Sequence, residues 1–163
     1  MSTSADKLSN KWTLWFHSPV DACWGITSYK KVAEIKTIED FWNVYNRITS
    51  FIIENGMFFL MRDIINPMWE DSHNKDGGCW SFKIYKKNVS KVWLDMSIHL
   101  IANSLLVEKE KTITGISISP KKSFCIIKIW NNSSKLNSKS LLNTKIENMA
   151  INECLYKPHN VGK

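Results

Sequence analysis

Trp24 stands in a loop-like segment, and Trp69 lies in the string Asn66-Pro67-Met68-Trp69-Glu70-Asp71, where an acid follows it directly. Two indoles can sandwich a flat, electron-poor ring, and a carboxylate beside them can accept the N–H groups on its edge. That chemistry suits a cationic purine such as 7-methylguanine. The alternative is that both indoles pack in a core, where most tryptophans of soluble proteins are buried. Composition leaves the two readings level.

The remaining residue types narrow the chemistry by what they lack. Cys23, Cys79, Cys125 and Cys154 form no C-x-x-C pair and the four histidines are as scattered, so no metal site is expected. The acids Glu39, Asp40, Asp63, Glu70, Asp71 and Asp95 do not build the Glu-rich metal-binding helix that a metal-dependent hydrolase would need. No G-x-S-x-G, P-loop or H-E-x-x-H string occurs, so a binding protein without a cofactor is expected rather than an enzyme. The formal charge of +7 attracts polyanions, although pairs such as Lys30-Lys31 and Lys86-Lys87 are more often solvated faces.

At 163 residues the chain has the length of one ordinary domain, and the expected division is a flexible tail over 1–7 and a single domain over 8–163. No apolar run approaches the roughly 18 to 20 residues that span a bilayer, and the first eleven residues lack a signal-like apolar stretch. A soluble chain of the cytoplasm or nucleus, with reduced thiols and no membrane contact, is the expectation.

Alternating and apolar runs predict strands over 11–16, 29–35, 57–61, 81–86, 112–119 and 124–130, the last two joined by the basic turn Pro120-Lys121-Lys122-Ser123. Thr37 with Asp40 three residues on reads as a capping box opening a helix whose buried stripe is Phe41, Val44, Tyr45 and Ile48. Trp42 lies off that stripe and is either edge-of-core packing or a docking anchor. A second helix is predicted over 91–106, with more apolar residues than one face needs; the excess falls around Leu94 and Ile98. The class is α+β.

In this order the chain resembles the eukaryotic initiation factor 4E family. The matching words are Asn10-Lys11-Trp12-Thr13-Leu14-Trp15-Phe16, Thr37-Ile38-Glu39-Asp40-Phe41-Trp42-Asn43-Val44-Tyr45-Asn46, Asn66-Pro67-Met68-Trp69-Glu70-Asp71, Gly77-Gly78-Cys79-Trp80 and Ile127-Lys128-Ile129-Trp130. The resemblance implies a curved antiparallel sheet with helices packed on its convex face and a slot for the messenger RNA cap on the concave face. It implies that Trp24 and Trp69 stack on 7-methylguanine, that Glu70 accepts its N–H groups, and that His159 lies near the methylated edge. On the phosphate side it implies contacts from Lys121, with Lys122 as helper, while two usual basic positions fall on Cys79 and Ile126. It implies a partner site at Ile38, Trp42, Leu94 and Ile98 for an amphipathic helix of the scaffold factor 4G or of a repressor. The function so implied is recognition of the 5′ cap and recruitment of a scaffold to start translation. The alternative is a regulatory relative that occupies caps and represses or diverts translation.

Overall fold

The computed structural model describes residues 6–160. Its strands are β1 (Lys7–His17), β2 (Tyr29–Thr37), β3 (Met57–Arg62), β4 (Gly78–Tyr85), β5 (Ile113–Pro120), β6 (Phe124–Asn131) and β7 (Leu155–Pro158). They form one antiparallel sheet in the order β2-β1-β3-β5-β6-β4-β7, curved and not closed into a barrel. Among the described residues three α-helices accompany it: α1 (Ile38–Tyr45), α2 (Ser50–Asn55) and α3 (Lys86–Ile101). The α+β class is as the sequence pattern implied, and the curved sheet with helices on one face is as the family resemblance implied.

Successive strand side chains point to opposite faces, and this sheet buries apolar groups on both. Trp12, Leu14, Leu60, Trp80, Phe82, Ile116, Ile127 and Ile129 turn one way and pack with Val89, Val92, Trp93, Met96 and Leu100 of α3 in the main core. Their alternate neighbours Phe59, Met61, Cys79 and Trp130 turn the other way into a smaller cluster, with Trp15, Tyr29 and Met57 half-buried against it. One face is therefore covered by helices, and the other carries aromatic side chains that no helix or strand among the described residues covers.

Local signals explain where elements start. The Thr37 hydroxyl accepts from the Asp40 N–H at 3.0 Å, and the Asp40 carboxylate accepts from the Thr37 N–H at 3.1 Å, so the predicted capping box opens α1. Such a cap contributes about 1 kcal/mol.

Several predicted boundaries are corrected. Helix α3 begins at Lys86 instead of 91, because it follows β4 with no side-chain cap to mark its start, and ends at Ile101 instead of 106. Its stop is set by Asn103, which takes a left-handed φ of 55° while the Ser104 N–H bonds back to the His99 carbonyl at 2.8 Å. Asparagine tolerates that conformation better than most residues. Leu105 and Leu106 are buried core residues beyond the helix. The run predicted over 81–86 is β4, which starts three residues earlier at Gly78 and leaves Lys86 to the helix. The short elements α2 and β7 have no counterpart among the predicted strands and helices. Of the tail expected over 1–7, residues 1–5 lie outside the described residues, and Lys7 already belongs to β1.

Candidate ligand slot and partner groove

The open face of the sheet carries a cavity of about 430 Å³, and Trp24, Trp69 and Glu70 all line it. Strand alternation builds its floor: Phe59 of β3, Ser117 and Ser119 of β5, and Lys128 and Trp130 of β6 project to the same side. The walls come from two loops, one between β1 and β2 that carries Trp24 and one between β3 and β4 that carries Trp69 and Glu70. Trp24 and Trp69 are 50% and 47% exposed, so the core-packing alternative is wrong for both.

Each loop is tied from within. The His17 ring stacks on Trp24, and its nitrogens lie 2.8 Å from the Ser18 carbonyl and 2.7 Å from the Cys23 carbonyl. In the other loop Asp71 accepts from the backbone N–H of Asn66 at 3.0 Å and of His73 at 2.8 Å, and it pairs with the His73 ring at 2.8 Å. Burial works against the Asp71 charge, but these donors outweigh it and hold the carboxyl below the usual range. Fully buried Asn74 adds bonds from its amide to the Asn66 and Met68 carbonyls. Asp71 is thus the acid that holds the loop, which leaves the adjacent Glu70 carboxylate without a hydrogen bond or ion pair among the described residues. The Trp69 backbone N–H is likewise without a partner among them. Burial, with Glu70 adding to it, pushes the Tyr29 hydroxyl up to about 12, so Tyr29 stays a neutral wall of the cavity.

His159 sits behind the floor. Its ring centroid is 4.9 Å from that of Trp130, its Nε2 is 3.8 Å from the Cys79 Sγ, and its N–H donates to the Gly77 carbonyl at 2.9 Å. Burial and then the nearby Lys128 ammonium lower its pKa to about 4, so it is neutral at pH 7. Lys121 and Lys122 are exposed in the turn between β5 and β6 and do not line the cavity. Lys128 does line it and was not among the expected contacts. The signal was present: Lys128 breaks an isoleucine-rich run at the same parity as Trp130.

On the helix-covered side, Ile38 and Trp42 of α1 and Ile98 of α3 surround a groove of about 340 Å³ together with Leu8 and Phe41. Trp42 is 40% exposed and touches Phe41 edge-on, with ring centroids 5.1 Å apart. It stands at the groove and is not part of the buried core. Leu94 is different: it packs half-buried against the main core and does not line the groove. Leu8, from the start of β1, takes a place that periodicity in the helices alone could not assign.

The sequence profile of the eukaryotic initiation factor 4E family matches residues 7–161. The chain belongs to this family. It is 31% identical over 131 residues to the translation initiation factor isoform 4E of Capsicum annuum, a match covering 76% of this chain and 63% of the relative. The chain therefore spans less than two thirds of the length of that relative. Among solved structures it is similar to C. elegans eIF4E-3 in complex with the 4E-binding protein Mextli and a cap analog, with a TM-score of 0.72, 26% identity, and coverage of 80% of this chain and 76% of that one. Ascaris suum eIF4E-3 in complex with an m7G cap has a TM-score of 0.77 over 96% of this chain and 93% of that one; at 21% identity it shows the shared fold. The initiation factor 4E family consists of translation factors and not of enzymes. Among the described residues no helix is long and apolar enough to cross a membrane.

Proposed function

We propose that this chain binds the 7-methylguanosine 5′ cap of messenger RNA in the Trp24–Trp69 cavity and recruits a scaffold initiation factor through the Trp42 groove. Residues 8–163 act in this reading as one cap-binding domain working in the cytoplasm. The observation that carries it is a set of groups around one cavity that have no partner among the described residues: two half-exposed indoles, the Glu70 carboxylate and the Trp69 N–H. Methylation at N7 makes guanine a cation. A cation stacks more strongly on indole and turns the Glu70 contacts into charge-assisted bonds, so unmethylated guanine binds much more weakly. The Trp130 ring at the floor, packed against the neutral His159 ring, offers an uncharged surface to the methyl edge.

The scaffold half rests on the groove at Ile38, Trp42 and Ile98, an exposed aromatic anchor with aliphatic neighbours of the kind that seats one face of an amphipathic helix. An open groove favours the recruiting role over a regulator without productive scaffold binding. The test is retention on 7-methylguanosine resin, with elution by free cap analogue and not by guanosine triphosphate, followed by capture of a scaffold-derived peptide. Equal elution by both nucleotides would sink the cap reading.

A further inference from the structure

Residues 126, 128 and 130 of β6 share one face, so a path runs from Trp130 at the cavity floor through Lys128 and Ile126 to the turn after Pro120. Lys128 lies on it roughly 7 Å from Trp130, two strand residues along. It is half-buried, lines the cavity, and has no hydrogen bond or ion pair among the described residues. An ammonium that lines a cavity attracts a counter-charge, and none of its close titratable neighbours can supply one. Those neighbours are Cys79, a buried thiol pushed up to about 12, and His159, a neutral ring. Across the β-ladders Lys128 faces Ser81 on β4 and Ser117 on β5, both uncharged. Glu70 shares the cavity but makes no ion pair with it. The cavity therefore holds one anion and one cation apart from each other.

We infer that Lys128 receives the first phosphate of the bound nucleotide and so sets which end of the cavity the phosphate chain leaves by. The inference rests on the cap reading. A ligand with a cationic ring at one end and a phosphate at the other satisfies both charges at once, the ring toward Glu70 and the phosphate toward Lys128. Lys83 and Lys157, opposite Ile126 and Cys79, share this face but do not line the cavity, so Lys128 is the cation of its lining, while Lys121 and Lys122 wait at the exposed turn for phosphates farther out.

The test is titration of 7-methylguanosine and its mono-, di- and triphosphates against the wild-type chain and the variants Lys128→Met, Lys128→Arg and Trp69→Ala, at low and high salt. Methionine keeps the length and apolar stem, and matching melting curves check the fold. The expected result is that Lys128→Met loses about tenfold in affinity for the monophosphate, binds the nucleoside within about twofold of wild type, and loses most of the salt dependence of the first phosphate. Arginine restores both. A Lys128→Met variant that keeps the full gain from nucleoside to monophosphate, while Trp69→Ala weakens binding of all four, overturns the assignment of Lys128 alone. Wild-type protein that binds none of the four, or binds them unaffected by Trp69→Ala, overturns the cap reading and this inference with it.

Discussion

The His17 imidazole lies flat against the Trp24 indole, ring centroids 4.1 Å apart and planes within 3° of parallel. His17 is fully buried and is not a wall of the cavity, so it covers one face of an indole that is otherwise half exposed. Its two nitrogens meet carbonyl oxygens of the same loop, which only accept; the ring donates to both in its doubly protonated form and to one otherwise. Trp24 is thereby held in place before any ligand arrives, and ordering it at binding costs less.

Replacing the ring tests that support. His17→Ala removes the stack and both loop ties and weakens cap-analogue affinity by about 1 kcal/mol, whereas His17→Phe keeps a stacked ring and loses less. Tryptophan fluorescence titrations of the two variants distinguish them. Equal affinity of wild type and His17→Ala would show that Trp24 needs no backing.

Substitutions in the slot itself weaken binding more. Trp24→Ala or Trp69→Ala removes about 1 to 3 kcal/mol of stacking, and Glu70→Gln a similar amount through lost charge-assisted bonds, with melting temperature unchanged. Calorimetric titration reads this directly. A folded Trp69→Ala protein with wild-type affinity contradicts the slot.

On the opposite face, Trp42→Ala abolishes binding of a scaffold-derived amphipathic peptide while cap-analogue affinity stays within about twofold. The half-exposed position predicts a folded variant. Leu94→Ala offers an internal contrast, since its side chain packs on the core outside the groove: it lowers stability by about 1 to 3 kcal/mol and peptide affinity little.

The pH dependence of stability follows from His159. Its folded pKa, about 4, lies below the ordinary 6.5. Between those values an unfolded chain binds more proton than the folded one, so this contribution is fully present above about pH 6.5 and is lost as pH falls toward 4. At 1.36 kcal/mol per unit the full shift corresponds to about 3 kcal/mol, and solvent screening of a partly exposed ring makes the loss smaller. Denaturant melts at pH 7 and pH 4.5 measure it, and the gap between them narrows in His159→Gln.

Much of this was legible from side-chain parity and caps. Thr37 and Asp40 announced α1 because the box is written in the residues that form it, and Phe124 to Trp130 announced β6 by its apolar content. The start of α3 was not legible, since its first turn, Lys86-Lys87-Asn88, has neither a cap nor an apolar stripe. Six-residue α2 hid behind Phe51, which is 73% exposed and mimics a core residue in the sequence. Trp24, Trp69 and Glu70 were singled out for their distinctive chemistry and line one cavity, but the reach of Lys128 into that cavity depends on which face of β6 looks outward. Lysine spacing alone pointed instead to the turn.

Strand β1 works as a ruler. Leu8 near its start borders the Trp42 groove, and His17 at its end backs Trp24, so a single extended segment gauges the separation of the groove and the cavity. Between them Trp12 and Leu14 face the helices while Trp15 faces away, and removing one residue would swap these assignments along the strand. Substitutions in β1 can be absorbed one side chain at a time; a change of its length cannot. Insertions and deletions in this protein should therefore be borne by the loops, and an aligned relative with a gap inside β1 would have to lose the groove, the backing of Trp24, or both.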